Sequence, residues 1–340
     1  MIFIWILLFI LLIILAYFVY VFAQYHRLPD DITLEIENPI KQWLEQGKTY
    51  TAITWNLGYG SYPADYTFFM DGGKESRARS REKVEIAMAG DLRLLQTAKP
   101  DLVLLQEVDW EGDRSRKVDE PAVLRAGMHN YASVLAQNYN SAYLFYPVTR
   151  PIGKAKSGIL TFSRFTVSEA KRYSLPIQTS FAKFFDLDRC FSVATLPVAG
   201  TDKRLQLVNV HLSAFMKDEK VQQKQILTLF DKLAEFVAAG DYAICGGDFN
   251  HDLIGNPRED LTWMKAFPTV DLPEGLKVIA PTNAPSVRAN GVIRDDPQEI
   301  FGNIDGFIVS ENVDVTVVQT IVNHFESTDH EAVKMTFSLK

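Results

Sequence analysis

The hydrophobic pattern divides the chain into three stretches. Residues 2–23, IFIWILLFILLIILAYFVYVFA, carry no charge, and at ~1.5 Å rise per residue a helix of that length spans the ~30 Å hydrocarbon core of a bilayer. The pattern predicts a transmembrane anchor over residues 1–23. A cleaved signal peptide competes, because Val21 and Ala23 suit a cleavage site, but no basic segment precedes the run and it exceeds the ~7–15 apolar residues of such leaders. Residues 24–48 turn polar, contain Pro29 and Pro39, and read as a juxtamembrane tether with an amphipathic turn near Trp43 and Leu44. Residues 49–340 form a third stretch without repeat, low-complexity tract or further shift of composition.

Within 49–340 the strand-like runs are YTAITWN, DLVLLQE, SGILTFS, RLQLVNVHL, YAICGGD, NIDGFIVS, VDVTVVQTIV and AVKMTFSL. Most are apolar on both faces, as in sheets covered on two sides. Helical spacing appears at 217–239, where Val221, Ile226, Leu229, Phe230, Leu233, Phe236 and Val237 share a stripe that ends before Gly240, and again near 80–98 and 121–138. One mixed domain of strands and helices is predicted, with long loops at 58–79 and 281–302 that suit functional segments.

Composition narrows the partners. The chain has 340 residues, 47% of them apolar, so it is not disordered. Acidic residues outnumber basic ones, 42 against 35, for a formal charge of −7, which argues against holding nucleic acid chiefly by counterion release. Cys190 and Cys245 are too few for a disulfide framework, and Cys245 reads as a buried thiol. Arg27 is the one basic residue close after the apolar run and acidic Asp30, Asp31, Glu35 and Glu37 follow it, so membrane orientation is left open.

Polar groups recur where the apolar runs end. Asn56 closes the first, Glu107 the second, Asn209 and His211 lie at the end of the fourth, and Asp248 and Asn250 follow the fifth; Asp305, Asp329 and His330 lie near the C-terminus. Carboxylate and amide oxygens suit a hard cation such as Mg²⁺, and histidines beside carboxylates suit proton transfer near neutral pH. An aspartate or asparagine after a strand is, taken singly, an ordinary turn former.

Taken together, the ordered motifs TWNLG, DLVLLQEV, GILTFSRF, VNVHLS, GGDFN, IDGFIVS and TDHEAV resemble the endonuclease/exonuclease/phosphatase superfamily, which includes deoxyribonuclease I, inositol polyphosphate 5-phosphatases and neutral sphingomyelinases. The likeness implies an α+β fold, a four-layer α/β/β/α sandwich of two mixed sheets, with the site at one sandwich edge. It implies Glu107 as principal metal ligand with Asn56 beside it, and Asp329 in the metal or phosphate shell. Asp248 and Asn250 would orient water and phosphate. His330 would contact the phosphate or act as base, with Asp305 fixing its tautomer, and His211, supported by Asn209, would stabilise phosphate charge or protonate the leaving group. Thr328 stands where the family has serine. Arg114 and Arg288 are candidate substrate contacts beyond the shared motifs; a solvated charged loop is the alternative for both.

The resulting expectation is a membrane-anchored, Mg²⁺-dependent phosphoesterase, with Mn²⁺ as a substitute, hydrolysing a phosphodiester such as a phospholipid headgroup by metal-assisted water attack. A nuclease of the deoxyribonuclease I type, an inositol-phosphate phosphatase and a catalytically idle membrane scaffold are the alternatives. One fold hosts several chemistries, so the resemblance alone does not choose the substrate.

Overall fold

A computed structural model describes residues 1–214, 219–255 and 264–340. Its centre is a pair of stacked mixed sheets. One has eight strands, in the order Ile32–Thr33, Glu169–Ser174, Cys190–Ala199, Arg204–His211, Tyr242–Asp248, Asp305–Ser310 and Leu276–Ile279, with Leu44–Glu45 added beside Cys190–Ala199. The other has seven, in the order Val313–Ile321, Ala332–Leu339, Thr49–Asn56, Leu102–Asp109, Lys156–Ser163, Ala132–Asn140 and Ile36–Glu37.

The strands are apolar on both faces because each sheet is covered twice. Between the sheets, Leu104, Leu207, Ile244, Phe307 and Met335 interdigitate. Beyond the seven-stranded sheet, Trp55, Leu105 and Phe162 pack on Met88 and Leu95 of helix α2 (Arg81–Ala98) and Leu124 of helix α3 (Glu120–Gly127). Beyond the other sheet, Val208, Cys245 and Ile308 meet Ile226, Leu229, Phe230 and Leu233 of helix α4 (Glu219–Ala238). These are the four layers implied by the motif order. Helix α2 starts at Ser80, whose side chain accepts the Lys83 N–H; α4 stops before Gly240, which takes φ +79°. Residues 217 and 218 of the helix expected there lie outside the described residues.

Three expectations need correction. The helix expected at 121–138 ends at Gly127, where an added Cβ would lie 2.5 Å from Leu92 of α2, and Ala132–Asn140 is instead a strand paired with Lys156–Ser163. Long-range pairing there overrides the local apolar spacing. The strands Glu169–Ser174, Cys190–Ala199 and Leu276–Ile279 were not expected; the first is mostly charged or half exposed and the second contains Pro197, which hides both.

The third concerns residues 24–48, which are no free tether. Ile32 and Thr33 pair with Arg172 and Lys171, Ile36 and Glu37 with Val134 and Ser133, and Leu44 and Glu45 with Val198 and Ala199. Leu44 is fully buried while Trp43 is exposed, so this segment alternates as a strand does. Arg27 adds an ion pair with Asp188 at 3.2 Å. The folded body therefore begins close to the end of helix α1 (Ile2–Gln24), which is apolar and long enough to cross a membrane.

Candidate active site

Strand register sets the first row of groups. Arg204–His211 and Tyr242–Asp248 run parallel with His211 beside Asp248, and Asp305 of the antiparallel neighbour lies on the other side of Asp248. Three adjacent strand ends thus line up His211, Asp248 and Asp305. The facing sheet ends in Asn56, beside Gln106. A bulge between Leu105 and Val108 interrupts pairing with Lys156–Ser163, and Glu107 adopts φ +54°. A bulge re-aims a side chain, here out of the pleat and toward the row of strand ends. Tyr59 and Asn250, also at this edge, take φ +42° and +50°; strain of this kind costs ~1–3 kcal/mol per residue and gathers at functional sites.

Hydrogen bonds join the two rows. The Asn56 side-chain amide donates to Glu107 Oε1 at 3.3 Å and Asp248 Oδ2 at 3.0 Å, while its Oδ1 accepts the Gly58 N–H at 3.0 Å. Ser286 Oγ donates to Asp305 Oδ2 at 2.8 Å, and His330 Nδ1 meets the same oxygen at 2.9 Å. This bond fixes the histidine with Nε2 turned to the site, 3.8 Å from Asp248 Oδ2 and 4.0 Å from Asp329 Oδ1. Asp329 in turn accepts from Asn290 at 3.1 Å and from Thr328 at 3.3 Å. His211 Nε2 stands 3.5 Å from Asp248 Oδ2 and 3.9 Å from Glu107 Oε1.

Electrostatics separate the two histidines. Burial opposes charge on His330, but Asp305, Asp248 and Asp329 together outweigh it, and the imidazole is raised to about 10. Burial pushes His211 well below its ordinary range, assisted by Arg189, His330 and Arg114. At neutral pH the first is a cation and the second a neutral N–H donor. Burial lifts Asp248 to about 7, with Asp305 adding to it and His330 opposing. Burial also raises Glu107 and Asp329.

Several expected contacts are spent elsewhere. Arg114 is buried and grips Asp109 with two N–H bonds of 2.8 and 2.9 Å, its guanidinium 4.0 Å from the centre of the Tyr59 ring; it is neither a solvated loop residue nor free to take a phosphate. Arg288 donates to the carbonyls of Tyr62, Pro63, Tyr66, Ala289 and Val292, stitching the 58–79 and 281–302 loops together. Asn209 accepts from Gln106 at 2.8 Å and donates to Leu105 and Leu160 carbonyls, so it braces the two sheets beneath the site. Asn250 is not on the pleat with Asp248: its N–H closes a turn on Asp248 Oδ1 at 2.9 Å and its side chain donates to the Leu212 carbonyl at 2.8 Å. Gly246 and Gly247 serve packing, since added Cβ atoms would meet Leu104 at 2.6 Å and the Val210 carbonyl at 2.0 Å.

Other groups at this edge gave no motif signal. Arg189 is buried, its Nε has no partner, its Nη1 lies 3.4 Å from the His211 carbonyl oxygen, and it feels Glu107 and Asp248. It follows a strand-free stretch and precedes a strand that the sequence pattern conceals. Asp71, in the Phe69–Asp71 turn, is raised to about 7 by burial and by Asp329 and Glu107. Asn290 holds Asp329. Both come from the long loops expected to be functional. His251 bonds the Phe249 carbonyl at 2.8 Å and packs on Phe267, a structural role.

A divalent cation fits this donor set. Glu107, Asp329 and Asp248 gather at one edge, Asp248 buried and the other two half-buried, with the exposed Asp71 beside them; withdrawal from water opposes their charge, and a hard cation relieves that cost. Asp248, Asp305 and His330 place ligand atoms within 4.8 Å of one another, but His330 Nδ1 is committed to Asp305. Glu107 and Asp329 retain carboxylate lone pairs that could hold the cation, and the Asn56 side chain lies against Glu107.

Comparison with known proteins agrees with this geometry. The model of the Endonuclease/Exonuclease/phosphatase family matches residues 53–269. No curated protein matches the chain. Among solved structures, an endonuclease/exonuclease/phosphatase from Beutenbergia cavernae superposes with TM-score 0.60 at 16% identity, over 86% of this chain and 72% of the other. The human Nocturnin catalytic domain with bound sulfate gives 0.55 at 16%, over 90% and 97%. D. rerio TDP2 in complex with a single-strand DNA product gives 0.52 at 14%, over 86% and 99%. With two sheets converging on one carboxylate- and histidine-lined edge, and a family match over most of the sandwich, the chain belongs to the endonuclease/exonuclease/phosphatase family.

Proposed function

We propose that the protein is a membrane-anchored, Mg²⁺-dependent phosphodiesterase, with Mn²⁺ as a substitute. The observation that carries the reading is the meeting of Glu107, Asp248, His211 and the Asp305–His330 pair at one edge of the sandwich. Glu107 and Asp329 would hold the cation, with Asn56 beside them, and the cation would supply Lewis-acid polarisation of a phosphoryl oxygen. His330, kept charged by Asp305, donates from Nε2 to a second phosphoryl oxygen. His211 offers a neutral N–H to the same charge, so it stabilises rather than protonates; Arg189 adds a buried cation behind it.

Asp248 is the base. Its oxygens are held by Asn56 and the Asn250 N–H, and its elevated pKa of about 7 suits taking a proton at neutral pH. The water oxygen forms a bond to phosphorus as its proton passes to Asp248, and the bond to the leaving alkoxide breaks. The alkoxide takes its proton from solvent. Donors already fixed before charge develops are worth more than mobile water.

Helix α1 makes the membrane reading, and the formal charge of −7 disfavours a long nucleic-acid footprint. The nuclease reading has the D. rerio neighbour and its single-strand DNA product in its favour. The deciding experiment reconstitutes the full chain in vesicles of sphingomyelin and phosphatidylcholine with Mg²⁺ and offers plasmid DNA and inositol phosphates in parallel. Release of phosphorylated headgroup ahead of the other substrates is expected; plasmid degradation without lipid cleavage would overturn the order.

A further inference from the structure

The first sixteen residues are all exposed, and contact with the folded body begins at Tyr17. Tyr17 donates its hydroxyl to the Tyr143 carbonyl at 3.0 Å, and the Tyr143 N–H donates to the Tyr20 hydroxyl at 3.1 Å. Phe145 lies 5.1 Å from the Tyr17 ring. From a second loop, Phe181 lies 5.7 Å from Phe18, and Phe184 lies 4.6 Å from Phe22 and 4.8 Å from Tyr25. Two loops, 141–155 and 175–189, therefore grip the last two turns of α1. At ~1.5 Å per residue, Tyr17 lies about 10 Å before Gln24 along the axis. Tyr17 and Tyr20 thus lie in the last two turns of the helix, toward the membrane–water interface where tyrosines collect.

The outward faces of these loops are unusual for a body surrounded by water. Val148 is 83% exposed, Tyr146 69%, Phe145 56% and Phe181 49%, and Lys183 sits between the rings of Tyr25 and Phe184. Clustered exposed aromatic and apolar groups mark an interaction surface, and a cation among aromatics suits a phosphate-rich interface. Each loop also reaches the catalytic edge. The Tyr146 ring lies tilted 5.6 Å from that of Phe69, which opens the turn carrying Asp71 toward Asp329 and Glu107; Met70 of that turn is 70% exposed. The second loop ends at Arg189, against His211.

We propose that the 141–155 and 175–189 loops are a second membrane attachment, which dips Phe145, Tyr146, Val148 and Phe181 into the bilayer interface and turns the mouth of the catalytic edge onto the lipid surface. The phosphodiester reached there is a phospholipid headgroup. This rests on α1 spanning the membrane, and it deepens that reading by making the body lie on the bilayer rather than hang from it.

The test uses the full chain in phosphatidylcholine vesicles with single introduced thiols, Val148→Cys, Phe181→Cys and Asp202→Cys, each carrying an environment-sensitive fluorophore. Cys190 and Cys245 are buried and stay unlabelled. Asp202 is exposed in the turn before Arg204–His211, at the end of that strand away from His211. Labels at 148 and 181 are expected to be quenched several-fold more by a headgroup-proximal doxyl lipid than the label at 202, and less by a water-soluble quencher. Equal lipid quenching at the three positions, with the protein retained by the vesicles after an alkaline wash, would overturn the docking surface while leaving the anchor standing. Release of the whole chain by that wash would overturn both.

Discussion

Glu107→Gln is expected to lower Mg²⁺-dependent hydrolysis by at least ~10²–10³-fold, the usual cost of losing a fixed charge-stabilising group, without unfolding the protein. The bulge aims this side chain at the catalytic edge, and the Asn56 amide holds it there. Burial is the largest influence on Glu107 and it opposes the charge, so the neutral amide of equal shape removes a desolvated charge and leaves the fold at least as stable. Activity loss with an unchanged or raised unfolding midpoint is the combined result to look for. A variant that loses activity only in proportion to lost folded protein would make Glu107 a structural residue.

His330→Ala is expected to cost activity on a similar scale, and it carries a second signature in the pH dependence of stability. His330 is raised from 6.5 to about 10 in the folded state because Asp305 and its neighbours outweigh burial. A raised histidine contributes stability that is complete below the unfolded value near 6.5 and is lost as pH rises through about 10. Denaturant unfolding across that window should therefore show wild-type stability falling toward alkaline pH, with a shallower slope in the alanine variant. Parallel slopes would mean that the histidine is not held as a cation.

Much of this architecture follows from local pattern. Strands apolar on both faces require cover on both sides, and of the polar residues that end them, His211 and Asp248 are neighbours in register while Asn56 meets Asp248 from the facing sheet. What pattern could not convey are choices made by distant partners. Glu107 reaches the site through a bulge, which depends on pairing with Lys156–Ser163 rather than on its own segment. Residues 32–45 look like a linker because each strand there is two residues long, yet each finds an open position on a sheet. Arg114 and Arg288 look like surface cations in sequence. Their roles depend on Asp109 and on a set of loop carbonyls that no spacing rule places beside them. Arg189 was hidden for the opposite reason, lying in a region without a readable element, though folding sets it behind His211.

The measurement closest to the central claim is hydrolysis of bis(p-nitrophenyl) phosphate by the full chain, a diester that needs no membrane, after metal removal with EDTA and then on return of Mg²⁺ or Mn²⁺. Asp248→Asn serves as the control, since it keeps the shape at the strand end and removes the base. The account predicts no turnover in EDTA, recovery with either cation in the wild-type protein, and no recovery in the variant. Turnover that persists in EDTA, or an Asp248→Asn protein as active as the wild type, would contradict it.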